Sequence, residues 1–278
     1  MKKVIVLLLV FTLAFGLYGC TSNSSDGSKQ GDNVAQDQNI SQKESNNLVE
    51  LTISAAASLT EAYGEIKELY ESEKGIRLIF NFGASGTLQK QIEEGAEVDV
   101  FVSAGKKQMD ALEEQDLIIK DTRDNIYRNE LALLVAKEYK DQIKTINDIV
   151  GTDLKISIGV PETVPAGQYA KDALVYLEVW NQLEPNIVYG KDVSQVLTYV
   201  DKGEVAAGIV FSSDSVRAKE SYLAEIFPEE THTPIVYPAA IVSSTKNKEA
   251  SLDFLQYLKT GKAKEILERY GFRIYIEE

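Results

Sequence analysis

The stretch Ser54-Ala55-Ala56-Ala57-Ser58-Leu59-Thr60-Glu61 decides the fold, because here a strand-like run turns into a helix-like one. Upstream, Val49–Ala55 reads with the period of two that a β-strand imposes. Downstream, Leu59–Glu73 spaces its apolar residues three and four apart, as a helix does. Ser58 followed by Glu61 has the spacing of a capping box, which places a serine at the start of a helix directly after a strand. The alanines before it carry so little bulk that another group can come close to the backbone.

Three more junctions share this form. Phe82-Gly83-Ala84-Ser85-Gly86-Thr87-Leu88 is again strand, small residues, serine, helix. In Gly159-Val160-Pro161-Glu162-Thr163-Val164-Pro165-Ala166-Gly167, Pro165 suits the first helical turn and its neighbours leave amides free. In Gly190-Lys191-Asp192-Val193-Ser194-Gln195, Asp192 with Gln195 repeats the capping pattern. Any one of these is an ordinary helix start. Four at the C-terminal ends of strands mark the place where open α/β sheets bind ligands. Helix N-termini present unpaired N–H groups and a partial positive charge, so the ligand they favour is an anion. A serine there can accept from an amide and still donate its proton to an oxyanion.

Working outward, strands are expected at Val49–Ala55, Arg77–Phe82, Val98–Val102, Glu130–Ala136, Lys155–Gly159, Asn186–Tyr189, Val205–Phe211 and Thr233–Val242. Helices are expected at Leu59–Glu73, Leu88–Glu94, Lys106–Gln115, Ile146–Ile149, Gln168–Leu177, Val193–Lys202 and Glu249–Tyr270, the last broken near Gly261. This alternation predicts an α/β protein with largely parallel sheets, and two sheets with a cleft between them suit its length better than one.

The first residues are not part of that fold. Lys2 and Lys3 precede an apolar run, Val4–Leu17, that is short for a membrane span, so residues 1–19 read as a signal peptide. Cys20, the sole cysteine, follows Leu17-Tyr18-Gly19 and resembles the lipidated cysteine of a bacterial lipoprotein. Residues 20–47 are rich in Ser, Asn, Asp, Gln and Gly, a composition that cannot offset its chain entropy by burial and reads as a flexible tether. The expected location is therefore the cell envelope, anchored by lipid at the outer face of the cytoplasmic membrane.

Composition narrows the chemistry. The 278 residues hold 43 acidic and 29 basic side chains, a formal charge of −14, which argues against nucleic acid as a partner. One His and one Cys cannot assemble a metal site of several such ligands. With Cys20 assigned to lipidation, His232 has no nucleophile to serve and reads as an exposed loop residue. Tyr70, Tyr176, Tyr199, Tyr257 and Tyr270 fall at helical spacing and are expected to be buried or half-buried. Ser58 and Ser85 lack the glycines of a nucleophile elbow, which disfavours a hydrolase.

Five motifs, taken together, are similar to those of the molybdate-binding proteins of ABC transporters. They are Ala55-Ala56-Ala57-Ser58-Leu59-Thr60, Gly83-Ala84-Ser85-Gly86-Thr87-Leu88, Asp99-Val100-Phe101-Val102-Ser103-Ala104, Val164-Pro165-Ala166-Gly167-Gln168-Tyr169-Ala170 and Gly208-Ile209-Val210-Phe211-Ser212-Ser213-Asp214. The ending Arg269-Tyr270-Gly271-Phe272 fits as well. The resemblance implies a two-lobed, type II periplasmic-binding-protein-like fold, with residues 48–128 and 238–278 in one lobe and 129–237 in the other. It implies a non-enzymatic, monomeric substrate-binding subunit that serves an ABC permease and needs no cofactor. Its ligand would be molybdate or tungstate, the metal reached only through its oxygens. The donors would be the hydroxyls and amides of Ser58 and Ser85 and the amides of Ala166 and Val193. The family's tyrosine hydroxyl is absent here, since Phe211 stands at its position. Sulfate or another oxyanion is the alternative ligand, and an envelope enzyme or adhesin on the same scaffold the alternative function.

Overall fold

A computed structural model describes residues 49–276. The expected signal peptide, Cys20 and the tether lie outside the described residues. Among the described residues, eleven strands and nine α-helices follow one another along the chain. The strands are β1 (Glu50–Ala56), β2 (Arg77–Gly83), β3 (Val100–Val102), β4 (Asp124–Arg128), β5 (Leu131–Ala136), β6 (Ile156–Gly159), β7 (Ile187–Gly190), β8 (Ala207–Phe211), β9 (Ser221–Ile226), β10 (Val236–Ile241) and β11 (Arg273–Ile274). The helices are α1 (Thr60–Lys74), α2 (Ser85–Glu93), α3 (Lys106–Glu114), α4 (Pro165–Tyr176), α5 (Trp180–Leu183), α6 (Val193–Asp201), α7 (Ser212–Ser215), α8 (Lys248–Tyr257) and α9 (Gly261–Arg269).

The strands form two sheets. One has six strands in the order β11-β4-β10-β3-β1-β2, and the other five in the order β7-β6-β8-β5-β9. The chain passes between them twice, over Asn129-Glu130 and over Phe227–Ile235. Both sheets are mixed rather than mostly parallel. The parallel pairs are β1 with β2 and β3, and β6 with β7 and β8, while β10 runs antiparallel to β3 and β4, and β5 to β8 and β9. The parallel pairs are the ones that aim their C-terminal ends at the cavity described below.

Burial explains the strands. Every residue of Leu131–Ala136 and of Val236–Ile241 is buried, as expected for runs covered on both faces, where apolar character is continuous. Tyr63, Tyr70, Phe254 and Phe80 pack edge-on or tilted between α1, α8 and β2. Such aromatic contacts add to the area they bury. Tyr176, expected to be at least half-buried, is instead 58% exposed: it lies in the last turn of α4, on the face turned from the core.

Candidate functional site

Register brings the serines together. Ala56 of β1 is level with Gly83 of β2, so Ser58 and Ser85 each stand two residues beyond the same point on adjacent parallel strands. Ala55 is level with Val102 of β3, which puts Ala104 two residues past the neighbouring strand end. In the other sheet Gly159 and Gly190 are level, and α4 and α6 start a few residues beyond them. Small residues let these starts crowd. A Cβ on Gly167 would lie 2.0 Å from the Gly159 carbonyl oxygen, so α4 seats on the end of β6 only because that position is glycine.

Ser58, Ser85, Ala166, Val193 and Phe211 all line one small cavity, whose empty volume of about 210 Å³ includes space open to solvent. Its remaining walls are Ala56, Ala57, Gly83, Ala84, Ala104, Val164 and Pro165, so no charged side chain lines it. Both sheets contribute, and their segments touch at its rim. The amide of Gly86 donates to the carbonyl of Thr163 at 2.9 Å, and the Ser194 hydroxyl to that of Ala57 at 3.3 Å. Arg217, beyond β8, pairs with Glu61 of α1 at 2.6 Å while also pairing with the buried carboxylate of Asp214.

Among the described residues, no hydrogen bond occupies the amide of Ser58, Ser85, Ala166 or Val193. The amides of Ser85, Ala166 and Val193 fall within the first two positions of an α-helix, where no intrahelical acceptor exists. The Ser58 amide belongs to the short 3-10 turn Ala57–Leu59. The Ser85 hydroxyl accepts from the Ala104 amide at 3.0 Å with one of its two lone pairs, and its proton is left for the cavity.

Two capping patterns resolve differently. Asp192 caps α6 as expected, accepting from the Gln195 amide at 2.8 Å, while Gln195 reaches back to the amide of Lys191 at 2.7 Å. The Ser58–Glu61 box does not form. The 3-10 turn intervenes, so α1 begins at Thr60, and Thr60 ties itself to the Ala57 carbonyl at 2.7 Å. Glu61 is drawn off by Arg217, and the Ser58 hydroxyl meets the Tyr237 hydroxyl at 2.9 Å.

Several residues that the sequence did not mark surround the site: Asn129, Arg217 and Tyr237. Each acts through contacts far from it in the chain, and the Ser58–Tyr237 pair spans 179 residues, so no local pattern carried a signal. Tyr237 also packs its ring on Phe211, 5.7 Å between centroids. Burial holds its phenol well above the ordinary tyrosine range, so the hydroxyl keeps its proton. His232 is partly buried rather than exposed. Its ring packs edge-on against Tyr169 at 5.8 Å and its Nδ1 lies 2.9 Å from the Thr233 carbonyl. A larger cavity, about 1530 Å³ with the solvent open to it, lies beside the two links between the sheets. It holds none of the five residues above, and its Arg273 is paired with Glu130 at 3.1 Å.

Among the described residues, no helix is long and apolar enough to cross a membrane, and no group of three or more His, Cys, Asp or Glu side chains could hold a metal ion.

Comparison with known proteins points the same way as the geometry. Residues 51–273 match the family described as bacterial extracellular solute-binding protein. YvgL of Bacillus subtilis, provisionally named an ABC transporter substrate-binding lipoprotein, is 36% identical over 272 residues, covering 98% of each chain. The molybdate-binding protein ModA of Haemophilus influenzae is 38% identical over 229 residues, 80% of this chain and 89% of that one. A solved structure, the substrate-binding domain of a provisionally assigned molybdenum ABC transporter from Clostridium difficile, is 38% identical with a TM-score of 0.64, covering 81% of this chain and 98% of the other.

Proposed function

This chain belongs to the bacterial extracellular solute-binding protein family, and from that premise we propose that it is the substrate-binding subunit of a molybdate ABC importer, taking molybdate and also tungstate. The observation that carries the reading is the uncharged cavity into which four unpaired amides and two serine hydroxyls converge. The donors are the hydroxyls and amides of Ser58 and Ser85 with the amides of Ala166 and Val193. Their relatives' names support the choice of ligand.

Neutral donors suffice for a doubly negative guest. Long-range repulsion from a net charge of −14 is screened beyond about 8 Å at physiological salt, whereas enclosed amide dipoles act at contact distance. Each hydrogen bond to a charged acceptor contributes about 1.5–3 kcal/mol, and several converging donors share the charge without any side chain that must itself be desolvated as an ion. The metal is met only through its oxygens, and no cofactor enters.

In this reading residues 48–128 and 238–278 form one lobe and 129–237 the other; the first takes in the six-stranded sheet except Val236 and Tyr237, the first two residues of β10. Ligand closes the cleft between them. Release to a membrane permease follows when the cleft opens, and lipid on Cys20 keeps the subunit, a monomer, at the outer face of the membrane. The role is binding and delivery, not catalysis.

Calorimetric titration with molybdate, tungstate, sulfate and phosphate tests the reading. Molybdate and tungstate are expected to bind tightest. A tighter fit for sulfate would reassign the ligand, and binding of none of the four would remove the function.

A further inference from the structure

We propose that Asn129, acting through Tyr237, fixes the direction in which Ser58 points its proton, and that this selects oxyanions carrying no proton of their own. The inference rests on the oxyanion reading of the cavity and adds two positioning residues that lie outside its lining.

The direction follows from what each partner can do. The Asn129 side-chain oxygen receives the Glu130 amide at 2.9 Å, the Ser212 hydroxyl at 2.9 Å and the Ser213 amide at 3.4 Å. Backbone amides can only donate, so the oxygen must face them and the NH2 group must face the other way. There it meets the Ser213 hydroxyl at 2.9 Å and the Tyr237 hydroxyl at 3.2 Å. An amide NH2 cannot accept, so Tyr237 accepts from it. The phenol is fully buried, and its own proton then goes to the Ser58 oxygen at 2.9 Å. Ser58, having accepted, turns its proton toward the cavity it lines.

Ser85 reaches the same state by a shorter route, because its oxygen accepts directly from the Ala104 amide. Both hydroxyls are thereby donors. An oxyanion that brings a proton would need an acceptor in the wall, and a serine whose proton is directed into the cavity meets the facing ligand oxygen as a donor. A buried donor left without a partner costs as much as a hydrogen bond to a neutral group gains, or more. Only the Ser58 arm depends on replaceable side chains, so only there can the direction be reversed.

Asn129→Asp keeps the shape and reverses the logic. One carboxylate oxygen keeps the two amides, and the other accepts from Tyr237 and from Ser213. Tyr237 then has a lone pair for the Ser58 proton, and the Ser58 oxygen is left to accept from the ligand. Tyr237→Phe removes the relay without adding charge and lets the Ser58 hydroxyl turn either way.

The experiment is calorimetry on the full chain with molybdate and phosphate in mildly alkaline buffer, where both are dianions. The added charge of the aspartate then weakens the two alike and cancels in their ratio. The molybdate-to-phosphate affinity ratio is expected to fall about tenfold or more in Asn129→Asp, one unpaired buried donor's worth, and to fall less in Tyr237→Phe. A purely structural role would lower both affinities by the same factor. If Asn129→Asp does not fold, Tyr237→Phe decides alone, its ratio falling or staying at the wild-type value. Wild type that binds molybdate, with the ratio unchanged in the folded variants, overturns the inference only. Wild type that binds no tetrahedral oxyanion overturns the reading of the cavity and this inference with it.

Discussion

On the wall built by the six-stranded sheet, Ser58 and Ser85 bring hydroxyls into the cavity; on the wall built by the five-stranded sheet, Ala166 and Val193 bring backbone amides alone. The first wall is held by side-chain contacts that reach across the chain, Ser85 to the Ala104 amide and Ser58 to Tyr237. The second is held by close packing, with Gly167 against Gly159 and Val193 buried at the start of α6. Two ways of supplying the same hydrogen therefore face each other. The hydroxyl wall is open to ordinary substitution, whereas the amide wall can be broken only by changing the backbone or its fit.

The rim where the walls meet should be the most sensitive position. A Cβ on Gly86 would lie 2.7 Å from the Thr163 carbonyl oxygen and 2.8 Å from its Cα, both rigid backbone atoms. Gly86→Val must hold the walls apart, which removes the Gly86–Thr163 bond and displaces the donors of one wall from the ligand. Losing two hydrogen bonds to a charged guest predicts an affinity loss of about 100-fold or more. Calorimetry with molybdate checks it. A loss under tenfold would mean that the ligand is gripped by one wall.

The next pair of substitutions compares the walls directly. Ser85→Ala deletes one hydroxyl donor and leaves the buried Ala104 amide without its acceptor. Affinity should fall by about 10- to 100-fold, and the ligand-free protein should lose about 1–3 kcal/mol. Val193→Pro deletes one amide donor from the opposite wall. Asp192 is extended at φ −155°, and the first helical position is the one a proline fits, so the helix can remain. Affinity should fall by a similar factor, but ligand-free stability should change by less than about 1 kcal/mol, apart from repacking of the buried side chain. Calorimetry and thermal unfolding, run side by side, read the contrast. Equal stability losses in the two variants would erase the distinction between the walls.

How much of this was legible in the sequence also divides by wall and by distance. The four strand-to-helix junctions were local patterns that contain Ser58, Ser85, Ala166 and Val193; the resemblance to the molybdate-binding proteins singled these out as donors and added Phe211, and the structure places all five around one cavity. The strands that escaped notice were short or at sheet edges. Asp124–Arg128 has only Ile126 and Tyr127 to mark it, Ser221–Ile226 is an edge strand with Tyr222 and Leu223 turned to solvent, and Arg273–Ile274 is two residues long. Antiparallel pairing of β10 and β5 could not be read from runs buried on both faces, because continuous apolar character carries no direction. The capping box at Ser58 misled for a physical reason: a turn of 3-10 helix shifted the helix start, and the hydroxyl found a partner 179 residues away.

Phe211 belongs to the amide wall yet stands where a hydroxyl could be added, so it offers the smallest and most specific perturbation of the comparison. Its ring is 1% exposed and packed edge-on between Tyr169 at 6.3 Å and Tyr237 at 5.7 Å, with the cavity on its remaining side. A hydroxyl added by Phe211→Tyr would be buried, and without ligand it would lack a partner, at a cost of about 1 kcal/mol to the empty protein. With an oxyanion in the cavity it would become one more donor to a charged acceptor. Thermal unfolding should therefore show a slightly lower midpoint without ligand and a larger rise on adding molybdate, since a ligand that binds only the folded state stabilises it in proportion to its affinity. The gain in affinity should stay within about tenfold, less than either wall loses when one of its own donors is deleted. An unchanged molybdate shift would mean that the ring's outer edge does not face the guest, and that the second wall works through amides alone.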